Sequence, residues 1–266
     1  MTSKALKQLT PTPTSDSLDQ KQLETTLEQS ATPDASKPKG KDNANNNNKK
    51  TTPSRQFKGM SLEQRQNMRR EKLIEAGLQA YGTHGFFSVT VKDICREAKL
   101  TERYFYESFK RSEELFKAVY LNLLDDIQRK IVEAVMQKSP DLQQMITAGL
   151  SALLNSLRDD PRTARILFVD AVLVHELHGD TIHESHTRFD QTIFNFLNIV
   201  FPNQQENKSQ ISLIASGLNG YVVHIAMRWV LSNFKQPFEQ VLEACSLAYL
   251  GIYQQFNHLH PTKSES

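Results

Sequence analysis

The sequence predicts an all-α chain. A three-helix helix-turn-helix head precedes a C-terminal helical bundle, about nine helices in all, behind a disordered N-terminal tail. Three observations predict this. From Leu73 to Phe256 apolar residues recur at steps of three and four, the spacing that lines one face of a helix. No stretch alternates apolar and polar residues at period two over a useful length, as a half-buried strand would. Residues 1–58 are rich in Thr, Ser, Pro, Gln, Lys and Asn, with the run Asn45-Asn46-Asn47-Asn48 and few large apolar side chains, too few to offset the entropy of ordering.

The chain has 266 residues and a formal net charge of +2, which says little about partners. The distribution says more, because cations outnumber anions up to Ser112 and anions outnumber cations beyond it. That is the pattern expected if only one end meets phosphate. Lys37, Lys39, Lys41, Lys49, Lys50, Arg55 and Lys58 in the tail suit sequence-independent phosphate contact or a solvated linker. The tail has no apolar core of a signal peptide, and no run is apolar enough to span a bilayer, so it is read as neither secretory nor membrane-directed.

The first helix is expected from Ser61 or Leu62 to just before Gly85, with Leu73, Ile74, Gly77, Leu78 and Tyr81 on its core face. Arg65, Arg69, Arg70 and Lys72 in its N-terminal half read as a solvated face or as neighbours of a DNA backbone. A second helix, Val91–Ala98, carries Val91, Ile94, Cys95 and Ala98 on one face, with Thr90 as its N-cap. Lys99 and Leu100 make the turn. Thr101 caps a third helix, which starts with Glu102 at its positive end and buries Phe105 and Phe109, four apart. Glu102, Arg103, Tyr104, Tyr106, Glu107 and Ser108 are then left facing elsewhere. A cation, phenols and small polar groups on a short helix suit contacts to base edges and phosphates.

Taken with its flanks, this stretch resembles the DNA-binding domain of the TetR family of bacterial transcriptional regulators. The resemblance rests on the run Leu73-Ile74-Glu75-Ala76-Gly77-Leu78 and on Gly85 after the first helix. It continues with Thr90, Asp93-Ile94, Ala98, Thr101, Tyr106-x-x-Phe109 and Glu113-Glu114-Leu115, covering roughly residues 65 to 127. Three positions depart from the family pattern: Lys99 stands where Gly is usual in the turn, Ser112 where Lys is usual, and Gly77 where Ala is usual. A Lys in a left-handed turn is strained by about 1 kcal/mol, and Gly for Ala weakens a helix by about 1 kcal/mol. The resemblance implies a tail (1–58), a helix-turn-helix domain (61–120, motif 90–109) and an effector-binding and dimerisation domain (121–258). It implies DNA contacts from Thr90, Thr101, Glu102, Arg103, Tyr104, Tyr106, Glu107, Ser108, Lys110 and Arg111. Of these, Thr90, Tyr106, Lys110 and Arg111 would meet phosphates, and Arg103 a guanine.

The bundle follows in order. Leu115 to Val135 reads as one long helix stopped at Pro140, and Asp141 to Leu157 as the next. Pro161 opens a helix expected to run through Ile166, Val169 and Leu173. Thr181 to Phe201 follows, ended by Pro202-Asn203. The last two helices carry stripes through Ile211, Ile214, Leu218, Tyr221, Ile225 and Trp229, and through Phe238, Val241, Cys245, Ile252 and Phe256. Such stripes serve a monomer core or an interface. The resemblance favours a four-helix dimer interface, with Ile214, Leu218, Tyr221, Ile225, Trp229, Val241, Cys245 and Ile252 in it. It also implies an effector pocket, for which Phe168, His175, His178 and Phe189 are the candidates.

The competing chemistry is the cluster His175, Glu176, His178, His183 and His186 with nearby carboxylates, which supports a metal-dependent enzyme or metal sensor. Neither histidine pair has the His-Glu-x-x-His spacing of a hydrolytic zinc site, and no phosphate loop or nucleophile elbow is present. Cys95 and Cys245 carry no disulfide or metal pattern and read as core. A helical adaptor that has lost DNA binding is a third reading, marked by Lys99 and Ser112. The expectation is therefore a non-enzymatic, cytoplasmic, homodimeric repressor, nucleoid-associated when bound. Its partners would be a double-stranded palindromic operator and a small-molecule effector, with no cofactor, no resident metal and no membrane contact.

Overall fold

The computed structural model describes residues 61–137, 141–177, 180–201 and 207–259. Among them are nine α-helices and no strand. They are α1 (Leu62–His84), α2 (Val91–Ala98), α3 (Glu102–Ser108), α4 (Ser112–Met136), α5 (Leu142–Arg158), α6 (Pro161–Arg165), α7 (Asp180–Val200), α8 (Lys208–Leu231) and α9 (Phe238–Leu259). No described helix is long and apolar enough to cross a membrane. The tail expected over 1–58 and the stops expected at Pro140 and Pro202-Asn203 lie outside the described residues.

The head is built on aromatic packing. Leu73 and Tyr81 of α1, Phe86 of the following turn, Ile94 of α2, Phe105 of α3 and Phe116 of α4 share one core. The rings of Tyr81, Phe86 and Phe116 meet at 5.1–5.4 Å between centroids, tilted or edge-on, a geometry aromatic quadrupoles favour. Gly77 belongs to this packing. A Cβ there would stand 3.0 Å from Val119 and 3.3 Å from Leu115, so the residue that costs α1 some helix propensity lets α1 and α4 approach.

The expected helix from Pro161 through Leu173 does not form as one piece. Asp160 caps α6 through the Arg162 N–H (3.1 Å), but after Arg165 the backbone widens into a π-helical turn over Ile166–Asp170. The Ala171 N–H there bonds to the Ile166 carbonyl (3.0 Å). Asp170 sets this geometry. It is almost wholly buried, its carboxylate accepts from the Phe86 N–H (3.3 Å) and it faces Arg165 at 3.6 Å. Burial pushes its pKa up, against the pull of Arg165. Val169 and Leu173, expected on a buried stripe, are exposed, whereas Ile166, Ala171, Val174 and Leu177 complete the core of the head.

In the bundle, Leu154 and Leu157 of α5 pack with Ala226 and Trp229 of α8 and Val241 of α9. Leu197 and Phe201 pack with Ile211, Ala215 and Leu218 of α8 and Phe256 of α9. Lys99 has φ 53° and ψ 42°, a left-handed C-cap to α2. Lys99→Gly relieves the Cβ–carbonyl crowding of that conformation, and urea denaturation is expected to show a gain of about 1 kcal/mol. Gly85, at φ 85° with Arg165 only 2.4 Å from where its Cβ would be, is expected to lose stability on substitution by Ala.

Candidate nucleic-acid interface

A seven-residue helix such as α3 cannot hold itself together in water, so its stability comes from what anchors it. Phe105 is fully buried and Phe109 nearly so, and their rings lie 5.9 Å apart. From outside, α1 adds a second clamp. The Arg69 guanidinium stacks over the Tyr104 ring (4.3 Å) and Arg70 over Phe109 (4.9 Å). Arg69 also faces Glu107 at 3.8 Å. These two arginines, read from sequence as a solvated or DNA-facing surface, thus brace the reading helix. Only the tertiary fold brings them there, and no local pattern marks them.

The entry to α2 is a reciprocal cap. The Asp93 N–H donates to the Thr90 hydroxyl (3.2 Å), while the Thr90 N–H (3.1 Å) and hydroxyl (2.6 Å) donate to the Asp93 carboxylate. These bonds, with Arg96 at 2.7 Å, hold the Asp93 carboxyl below the usual carboxylate range. Thr101 occupies the N-cap position of α3 without a side-chain cap bond. At the start of α4 the Glu114 carboxylate accepts from the Lys110 N–H (2.8 Å), and the Tyr81 hydroxyl donates to the Ser112 carbonyl (3.2 Å).

The candidate DNA residues are therefore placed as follows. Thr90, Thr101, Glu102, Arg103, Tyr106, Glu107, Lys110 and Arg111 are exposed, while Tyr104 and Ser108 are half-buried. Arg103 is 84% exposed and its Nε donates to Glu107 (3.0 Å). Glu107 thus stands between two arginines, Arg69 and Arg103, and acts within the protein as a partner for both.

Besides a cavity of about 360 Å³ between α8 and α9, lined by His224, Arg228 and Gln240, two cavities open deeper in the bundle. One, of about 100 Å³, lies among α4, α5, α7, α8 and α9. The other, of about 220 Å³, lies nearer the head, walled in part by the π-helical turn. Phe168 lines the second, and Phe189 lines both. His175 is exposed and in neither wall, because the chain after Asp170 turns away from the helix that would have carried it inward. His178 lies outside the described residues. Gln128 and Asn219, missed in the sequence, contribute polar groups to the walls. A polar residue set within an otherwise apolar stripe was the available signal for both. Among the described residues, no three His, Cys, Asp or Glu side chains gather as a metal site would require.

The residues expected to form a dimer interface divide in two. Leu218, Trp229, Val241 and Cys245 are buried in the chain's own core, and burial pushes the Cys245 thiol up to about 11. Ile214, Ile225 and Ile252 are half-buried and Tyr221 is exposed. The opposite side of the two helices faces outward. It carries Leu213 (73% exposed), Tyr221 and Leu231 on α8 and Leu247 (62%) on α9. Gly217, Gly220 and Gly251 on that side have open space before them.

A helix held by its phenylalanines with cations and phenols outward, after a capped partner helix and a tight turn, defines a helix-turn-helix DNA-binding protein. Comparison with known proteins identifies the kind. The profile of the bacterial regulatory proteins of the tetR family matches residues 73–119. The regulator BetI of Agrobacterium fabrum is 33% identical over 72 residues, 27% of this chain and 35% of that one. BetI of Pectobacterium atrosepticum is 24% identical over 195 residues, 73% of this chain and 96% of that one. A TetR-family regulator structure from Mesorhizobium loti superposes with a TM-score of 0.58 at 15% identity, covering 73% of this chain and 98% of that one. The match to the tetR family thus falls on this head, and the similarity to BetI extends over most of the chain.

Thr90→Val is expected to lower the melting temperature by opening the cap of α2. The deficit should narrow in acid. A carboxyl with a depressed folded-state pKa contributes stability above its unfolded value and loses that contribution as pH falls through the folded one. Thermal melts of both proteins across the acid range measure this.

Proposed function

We propose that this regulator is a ligand-responsive repressor that binds a palindromic operator as a homodimer. The observation that carries the reading is α3, pinned by Phe105 and Phe109 with Arg103 and Tyr106 outward. In this reading Arg103 leaves Glu107 for a guanine edge, where the bidentate fork of a guanidinium discriminates best. Thr90, Tyr106, Lys110 and Arg111 meet phosphates and fix the register. Thr101, Glu102, Tyr104 and Ser108 border the groove, and Glu107 orients the two arginines.

Residues 61–120 form the reading head and 121–258 the effector and dimer part. The outward face of α8 and α9 supports the pairing of two copies better than the buried stripes do, since Leu218, Trp229, Val241 and Cys245 are already covered. A twofold pair of heads reads a twofold operator. The protein would work in the cytoplasm, on the nucleoid. The long helix α4 supports coupling, because Leu115, Phe116 and Val119 pack in the head while Ile131 and Val135 wall a cavity. A ligand acts there only by binding the DNA-free and DNA-bound shapes with different affinity.

Footprinting of a palindrome near the gene's own promoter tests the reading. Arg103→Ala is expected to cost about 1–3 kcal/mol and relax preference at one base pair. Lys110→Ala should weaken all sequences alike and flatten the salt dependence. Uniform weakening by Arg103→Ala would remove Arg103 from base reading. Gly217→Arg, on the open face of α8, is expected to yield monomers in sedimentation and to lose the operator while keeping its helical content.

A further inference from the structure

We propose that the ligand of this regulator is an uncharged, chain-like amphiphile, a medium-chain alcohol, lying along α4 through both cavities. The proposal rests on the ligand-responsive reading above and names the chemistry of its pocket. The two cavities adjoin, since Leu153, Phe189 and Asn219 belong to the walls of both, and the proposed chain passes between these three side chains. Together they reach the lower end of the roughly 300–1,000 Å³ of small-molecule sites. Their shared long wall is one face of α4, from Tyr120 through Leu124, Ile127 and Ile131 to Val135, about 22 Å at the rise of a helix. A long, narrow space suits a chain better than a compact ring system.

Charge selects among chains. Among the described residues no Asp, Glu, Lys or Arg lines either cavity. The titratable side chains there are Tyr120 and Tyr249, whose phenols burial keeps in the neutral form, and the exposed His186, in the same wall as the exposed Val172. The ions just behind the walls are engaged. Arg188 donates to the Gln128 side-chain Oε1 (3.3 Å) and pairs with Asp125. Asp190 accepts from the Asn219 amide (2.7 Å), and the Gln128 amide donates to Thr192 (2.6 Å). A carboxylate would thus meet no cation in the walls and an ammonium no anion, and an unpaired buried charge is strongly disfavoured. An alcohol hydroxyl can instead donate to the side-chain oxygen of Asn219, which is almost wholly buried and shared by both walls. Its amide N–H groups are already given to Asp190 and to the His186 backbone carbonyl (3.3 Å), so an acceptor-only oxygen is not served there.

The test uses the full-length protein loaded with the neutral fluorophore N-phenyl-1-naphthylamine, displaced at neutral pH by hexanol, octanol, decanol and dodecanol. Dodecanoate and dodecylammonium are run in parallel. Affinity is expected to rise about fourfold for each added methylene until both lobes are filled, and the two charged chains should bind about tenfold more weakly than dodecanol, or worse. Leu153→Trp, which narrows the junction, should leave hexanol unchanged and reduce dodecanol to the level of the shorter chains. Phe189→Ala, which widens it, should extend the rise to tetradecanol and serves if the tryptophan variant does not fold. Dodecanoate binding as tightly as dodecanol, affinity flat with length, or no binding of any alcohol would overturn the proposal. Operator affinity is read separately. An alcohol that binds without releasing DNA upholds the ligand class and sinks the ligand-responsive reading, whereas release by a charged chain alone does the reverse.

Discussion

The burial of Phe105 and Phe109 is the constraint on which the reading head depends. α3 has seven residues, too few to persist by backbone hydrogen bonds alone. Its existence as a helix and its orientation are therefore consequences of two side chains entering a core already filled by Leu73, Tyr81, Phe86 and Phe116. Once they are seated, the helix has no rotational freedom, and the side of it that carries Arg103 and Tyr106 is fixed relative to α1 and α4. The braces from Arg69 and Arg70 then set the side chains rather than the axis.

The two terminal helices show the opposite economy, in which both faces are used. Their buried stripes close the bundle, with Trp229 donating its indole N–H to the Gln236 carbonyl (2.8 Å) across the turn between them. Outside, Gly217, Gly220 and Gly251 and a few large apolar side chains stand among polar ones, and the glycines allow close backbone approach. An inner stripe and an outer one on the same pair of helices couple the packing of one chain to whatever covers the other side.

Much of this was legible in the sequence wherever local chemistry decides. Thr90 and Asp93 announce a helix start because the capping bonds lie within four residues. Phe105 and Phe109 announce a buried face because helical spacing is local, and the strain at Lys99 follows from the turn alone. The segment after Arg165 was not legible. Its π-helical turn answers to a buried Asp170 bonded to Phe86, 84 residues away, and no periodicity reports such a partner. The stripes of α8 and α9 were legible too, but a repeat at three and four says that a face is covered and not by what. The same limit hid Arg69, whose partner Tyr104 sits on another helix.

The core of the head is completed from outside it. Ile166, Ala171, Val174 and Leu177, all from the segment between α6 and α7, seal the cluster around Phe86 and Phe116. The head is accordingly not a self-sufficient module. Transplanted by recombination onto a foreign bundle, residues 61–120 would leave an oily flank uncovered, so this lineage can exchange its reading head only together with the stretch that roofs it.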